Sequence, residues 1–150
     1  YTNVYEFKDI LARAMGGRIA EKLIYGDDGI TTGAGSDLRH ATAIARDMVI
    51  EQGMGSKLRD QVFHEDTGGM VFDKITHERP YSEATAQEID NEVEALVKEA
   101  STRAEIVLKK NRAVLETLKD ALLKNETLEE EDAAKCMEGT VLPKEAKLHA

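Results

Sequence analysis

Cysteine, proline and aromatic residues are scarce in this sequence of 150 residues. It contains one cysteine (Cys136), two prolines and no tryptophan, and aromatic residues make up 5% of the chain. A single cysteine excludes an internal disulfide, so we expect a reducing compartment or a fold that needs no covalent cross-link. The scarcity of proline, together with abundant Ala, Leu, Glu and Lys, predicts a mainly α-helical protein.

An excess of positive charge and long apolar runs are also missing. The formal net charge is −9, which argues against binding to nucleic acid and to anionic membrane surfaces, because both need clustered Lys and Arg. No apolar run approaches the roughly 20 residues of a membrane-spanning helix. We therefore expect no nucleic-acid partner and no membrane contact by this chain itself.

Apolar residues recur at helical spacing in the first third of the chain. They predict a helix from about Glu6 to Tyr25, interrupted by Gly16-Gly17. The glycine pair indicates either the close approach of another backbone or a break between two short helices. A Gly- and Asp-rich loop, residues 26–35, follows. A second helix is predicted from Ser36 or Asp37 to about Gln52, with Gly53 ending it.

The rest of the chain predicts a helical bundle with one irregular insertion near residues 54–80. Within that insertion, Gln61-Val62-Phe63 and Met70-Val71-Phe72 are candidates for a short hairpin. Three helices are then predicted: Ser82 to about Asn111, Arg112–Lys124 and Glu129–Glu138. Asn111 marks the break between the first and the second of them. Thr127, just before the last helix, is a candidate for its N-terminal cap. Within that helix, Ala133, Ala134 and Met137 are expected to face inward. We expect a domain over residues 1–139 and a frayed tail over 140–150.

The four histidines do not complete a zinc-peptidase motif of the His-Glu-x-x-His type. In that motif two histidines at i and i+4 share one face of a helix, and the Glu activates a water. His64-Glu65 reaches Gly68 at the fourth position, and His77-Glu78 reaches Tyr81. Both pairs are best interpreted as polar loop residues, and Cys136 as a small buried apolar residue.

Asp37 is the carboxylate most suited to a functional role, because it follows the glycine-rich loop and lies at the predicted start of a helix. From the residues alone, the favoured interpretation is a helix cap that interacts with free backbone N–H groups and the helix dipole. The alternative is a metal ligand, with His40 three residues later on the same side. Two ligands at this spacing are a weak indication of a metal site.

Taken together, the motifs resemble FtsH-type ATP-dependent zinc metalloproteases, over about Gly16 to Glu138. The stretch Gly16-Gly17-Arg18-Ile19-Ala20-Glu21 is similar to one signature of that family. Thr31-Thr32-Gly33-Ala34-Gly35-Ser36-Asp37-Leu38 is similar to the next. Later matches are Tyr81-Ser82-Glu83 and Ile89-Asp90 at the start of the long helix, and Asn111-Arg112 and Glu126-Thr127-Leu128 near the end.

The resemblance implies a helical peptidase domain in which two histidines and one aspartate hold a catalytic zinc. The aspartate of the Thr-Gly-Ala-x-x-Asp segment corresponds to Asp37, which therefore becomes the one candidate metal ligand of this chain. The resemblance also implies protein substrates, a homo-oligomer that is hexameric in the family, and an ATPase module that uses ATP and magnesium. Its location would be the cytoplasm or the cytoplasmic face of a membrane.

The sequence departs from the family pattern in lacking the His-Glu-x-x-His helix, the general base and the ATPase module. We therefore expect a C-terminal part of the peptidase domain, with no catalytic residue of its own, no retained zinc and no activity alone. Because the chain starts at Tyr1 rather than Met, we expect further residues upstream. The alternative is a standalone, non-catalytic helical assembly or interaction module, a remnant of such a protease.

Overall fold

In a computed structural model of the protein, which describes residues 1–63 and 80–148, six α-helices account for most of the described chain. No strand occurs within those two ranges, so the predicted mainly α fold is confirmed. Short 3-10 turns cover Asp27–Gly29, Thr32–Ala34 and Lys144–Ala146. The helices are α1 (Val4–Ala14), α2 (Gly16–Tyr25), α3 (Gly35–Ile50), α4 (Glu83–Lys110), α5 (Arg112–Asn125) and α6 (Glu130–Cys136).

The core lies where α1, α2 and α3 pack against the long helix α4. Each helix presents buried apolar residues at helical spacing, which is the pattern expected of an amphipathic helix with one covered face. Alanines on α3 and α4 let helix backbones come close, since the distance between helix axes depends on the side chains at the contact. The buried cluster includes Leu11, Met15, Ile19, Ala41, Ala45, Met48, Val49, Ile89, Val93, Ala100 and Ala104.

The first predicted helix is broken into two at Met15. This residue ends α1 and precedes α2, and its side chain is 2% exposed. Asn3 and Glu6 form a capping box at the start of α1, which satisfies backbone N–H groups there. Of the two interpretations of Gly16-Gly17, the break is therefore observed. α2 also contacts α4 through an ion pair between Lys22 Nζ and Glu105 Oε2, 3.8 Å apart.

Helix α4 is the longest element, with 28 residues. The Ser82 side chain accepts a hydrogen bond from the backbone N–H of Thr85, so the predicted cap is confirmed. The helix ends at Asn111, also as predicted. At about 1.5 Å per residue it is some 42 Å long and serves as the surface on which the other helices assemble. Within the described ranges, no helix is both long and apolar enough to cross a membrane.

The segment after α3 is irregular as far as Phe63. Gly53 adopts φ +60°, a left-handed conformation that favours glycine, and a Cβ there would lie 2.8 Å from the Arg59 carbonyl oxygen. Phe63 is buried and its N–H donates to the Ile50 carbonyl. Gln61-Val62-Phe63 forms no strand, and its suggested partner at residues 70–72 lies outside the described residues.

Helices α5 and α6 form a pair with little covered surface. Neither has a fully buried residue, and the prediction that Ala133, Ala134 and Met137 face inward is wrong for Ala134 and Met137, which are exposed. Apolar spacing finds a stripe, but it does not show whether another element covers that stripe. The Glu129 position precedes α6 without a side-chain cap, so Thr127 does not cap it, and Cys136 is half-buried rather than buried.

Two residues of the segment after Gly139, which was predicted as a frayed tail, hydrogen-bond to side chains of α4 and of its C-cap residue. The Asn111 side chain, 8% exposed, donates to the Val141 carbonyl (2.7 Å) and accepts from the Val141 N–H (2.7 Å). Further along, Arg103 Nε donates to the Ala146 carbonyl, and Ala146 is 1% exposed. These hydrogen bonds tie Val141 and Ala146 to residues at least 30 positions earlier in the chain, a long-range effect that local composition does not reveal.

We expect Asn111→Ala to loosen this segment, because the Val141 N–H and C=O would both lose the buried Asn111 amide as their partner. The loss should be about 1–3 kcal/mol of unfolding free energy. Denaturant unfolding and amide hydrogen exchange at Val141 measure it. Asn125→Ala is the matched control, because Asn125 is exposed and its side chain donates to the Ala121 carbonyl of its own helix. Equal exchange protection in both variants would contradict this account of the tail.

Candidate functional site

Asp37 lies in the first turn of α3, where it is half-buried. The helix begins one residue earlier than predicted, at Gly35, and no side chain caps it. Neither Ser36 nor Asp37 is therefore a capping residue, and the Ser36 hydroxyl instead donates to the Gly33 carbonyl (3.1 Å). The negative charge in the first turn still interacts favourably with the helix dipole. The carboxylate is thus free to interact with something other than its own helix.

The carboxylate of Asp37 has no hydrogen bond or ion pair within residues 1–63 and 80–148. A half-buried carboxylate is normally paired, because removing charged oxygens from water is unfavourable unless they are solvated by a partner. Both oxygens therefore keep lone pairs for a ligand. Carboxylate oxygen is an accepted donor for zinc.

The glycine pair of α2 lies beside this carboxylate. A Cβ built on Gly17 would lie 3.0 Å from Oδ2 of Asp37, whereas one built on Gly16 would meet nothing within 4 Å. The close approach of another backbone was one of the two interpretations of the glycine pair. The close approach exists at Gly17, but the neighbour is a side-chain oxygen that lies 20 residues further along the chain.

A second contact joins the same two segments. Glu21 of α2 accepts hydrogen bonds from the backbone N–H and from the hydroxyl of Thr31, each at 3.0 Å. No role was predicted for Glu21. Glu21 ends the first motif similar to the family, and Thr31 begins the second. The contact holds the loop before α3 to α2, and so places the start of α3 beside Gly17.

The loop of residues 26–35 needs glycine for two different physical reasons. Gly26 adopts φ +80°, which disfavours other residues. A Cβ on Gly29 would lie 2.3 Å from the Cβ of Tyr25, so only glycine fits there. Gly33 and Gly35 have no positive φ, so Gly26 is the one glycine of this loop in a left-handed conformation.

The remaining candidate ligands do not assemble around Asp37 in the described part of the chain. His40, one turn later, is exposed. Among residues 1–63 and 80–148, no group of three or more His, Cys, Asp or Glu side chains is arranged to hold a metal ion. His64, His77 and His149 lie outside the described residues. The described structure therefore offers Asp37 as a single candidate ligand and not a complete metal centre.

Comparison with known proteins agrees with the motifs. The family model for peptidase family M41 matches residues 2–136. The chain belongs to peptidase family M41. This confirms the predicted resemblance to FtsH-type peptidases, and the match extends upstream of Gly16, where the motif comparison began.

Relatives in this family carry the name ATP-dependent zinc metalloprotease FtsH. The protein from Chloroflexus aggregans is 42% identical over 129 residues, which is 85% of this chain and 20% of that protein. The protein from Bacillus subtilis is 40% identical over 140 residues, 92% of this chain and 22% of that protein. The chain thus spans about a fifth of the length of these curated relatives.

We expect Glu21→Ala to release the loop before α3, because both hydrogen bonds to Thr31 are lost. Each bond contributes about 0.5–1.5 kcal/mol, and their exposure places the loss towards the lower end. Faster hydrogen exchange at the Thr31 amide is the direct measurement. Glu94→Ala is the control, since Glu94 is exposed on α4 and makes no hydrogen bond or ion pair in the described structure. Unchanged exchange at Thr31 would show that Glu21 does not hold the loop.

Proposed function

We propose that this chain forms part of the proteolytic site of an ATP-dependent zinc metalloprotease, in which Asp37 supplies one zinc ligand. The observation that supports this most strongly is the half-buried carboxylate at the start of α3, which has no partner in the described part of the chain. Membership of peptidase family M41 and the names of the relatives support zinc-dependent proteolysis as the reaction. No other element in residues 1–63 and 80–148 neutralises that carboxylate, which is consistent with a cation as its partner.

The fit of this chain to zinc is partial. Asp37 offers a carboxylate oxygen, while the family resemblance implies two histidines and a glutamate of a His-Glu-x-x-His helix that these 150 residues do not spell out. Bound zinc would polarise the peptide carbonyl and lower the pKa of a water. The contribution of this chain is to hold Asp37 in place through α3, the Glu21–Thr31 contact and the adjacent Gly17.

One carboxylate does not retain zinc, because affinity depends on ligand number and geometry. We therefore propose that these 150 residues alone bind no stoichiometric zinc and cleave no protein. Residues 1–139 act as the C-terminal part of the peptidase domain. ATP and magnesium would bind elsewhere in the complete protein, unfolded or membrane proteins would be its substrates, and a hexamer at the cytoplasmic face of a membrane would be its assembly.

A non-catalytic assembly module is the alternative function. The exposed apolar side chains near the C-terminal end favour it, because such residues often mark contact surfaces. Leu123 is 76% exposed and Leu142 is 55% exposed. This surface is equally compatible with a role inside a larger protease. A structural module would use Asp37 only for its interaction with the helix dipole, whereas a metal would use the carboxylate oxygens that no group in residues 1–63 and 80–148 contacts, and this favours the protease.

Substitution of Asp37 tests the proposal in the protein expressed from its full reading frame. Asp37→Ala should weaken zinc binding by at least about 10-fold, because one of the protein ligands is lost. It should also abolish cleavage of an unfolded protein, while ATP hydrolysis is retained. Zinc content, measured by atomic emission after dialysis against a weak chelator, gives the first readout.

Asp47→Ala is the matched control, since Asp47 is exposed and lies on the same helix. It should leave zinc content and cleavage unchanged. If Asp37→Ala bound zinc and cleaved protein as well as the unsubstituted protein does, Asp37 would not be a ligand. Zinc at one ion per chain in the isolated 150 residues would contradict the proposal that they need ligands from elsewhere.

A further inference from the structure

We propose that Gly17 is a positioning residue for Asp37: the missing side chain at position 17 sets where the Asp37 carboxylate can lie. The inference rests on the proposed function, because it assigns Gly17 a part in zinc binding through Asp37. It adds a residue on a different helix to a site that the sequence alone places only on α3.

The geometry distinguishes the two neighbouring glycines. A methyl group on Gly17 would lie 3.0 Å from Oδ2 of Asp37, closer than an ordinary van der Waals contact, so one of the two groups has to move. A methyl group on Gly16 would enter open space. Both residues are in the first turn of α2, and neither has a positive φ. Backbone conformation therefore does not require glycine at position 17, and the Asp37 carboxylate is the group that a side chain there would meet.

The group that would move is the carboxylate. Oδ2 is at the free end of the Asp37 side chain and has no hydrogen bond in the described structure to hold it. The backbone of α2, by contrast, is anchored by the buried residues Met15 and Ile19. Alanine at position 17 would therefore push the carboxylate away by a few tenths of an ångström and leave the fold intact.

A displacement of this size matters for a metal ligand. Ligand distances in zinc sites agree within about 0.2 Å, so a shifted oxygen no longer matches the other ligands. Groups that orient a ligand without touching the metal typically change metal affinity by about 10–100-fold when they are altered. Gly17→Ala should lower zinc affinity but raise the stability of helix α2, because alanine is a better helix former than glycine.

The test compares Gly17→Ala, Gly16→Ala and Asp37→Ala in the protein expressed from its full reading frame. Zinc affinity is measured by competition with a chromophoric chelator, and the thermal midpoint of the zinc-free protein is measured by circular dichroism. Gly17→Ala should weaken zinc binding by about 10–100-fold, with a midpoint equal to or above that of the unsubstituted protein. Gly16→Ala should leave zinc affinity unchanged and give the same effect on the midpoint.

The outcomes separate this inference from the proposed function. If Asp37→Ala weakens zinc binding but Gly17→Ala behaves as Gly16→Ala does, Asp37 remains a ligand and Gly17 does not position it. If Asp37→Ala has no effect on zinc affinity, the proposed function fails and the inference fails with it. A purely structural role of Gly17 would instead lower the thermal midpoint of Gly17→Ala in the absence of zinc, with zinc affinity unchanged, and this result would also overturn the inference.

Discussion

The packing of three short helices on one face of α4 is the constraint from which the rest of the described structure follows. Because α2 and α3 both lie against α4, segments that are far apart in sequence come together at their N-terminal ends. Buried alanines, such as Ala45 on α3 and Ala100 on α4, keep these helices close. Without that packing, Gly17 and Asp37 would have no fixed distance, and a carboxylate at the start of α3 would be only a surface charge.

The resulting site draws on two helices and contains a single candidate metal ligand among the described residues. α2 contributes an absence of side chain at Gly17 and a hydrogen-bond acceptor at Glu21, while α3 contributes the carboxylate. Such a division of labour is typical of metal sites, in which the ligand itself is one residue and its orientation depends on several others. The chain covers about a fifth of the length of its relatives, so the site is proposed to be completed by residues beyond these 150.

Local patterns predicted the helices well, because apolar spacing, the Ser82 cap and the break at Asn111 are local signals. They were less informative about which faces are covered: Met137 lies at an inward spacing, yet it is 49% exposed, since no element among residues 1–63 and 80–148 covers it. The hydrogen bond between Val141 and Asn111 could not be predicted from local patterns, because the two residues are 30 positions apart. From the residues alone a helix cap was the favoured interpretation of Asp37 and a metal ligand the alternative, and only the family resemblance reversed that order. The contact between Gly17 and Asp37 could not be predicted from local patterns either, because it is tertiary.

Locating the zinc ion itself tests the central claim most directly. Crystals of the zinc-loaded protein from the full reading frame, measured by anomalous diffraction at the zinc edge, would show which atoms surround the ion. The account predicts an Asp37 carboxylate oxygen at about 2.0–2.2 Å from the zinc, with the remaining protein ligands contributed from outside the described residues. A fully coordinated zinc with the Asp37 carboxylate beyond bonding distance would contradict it.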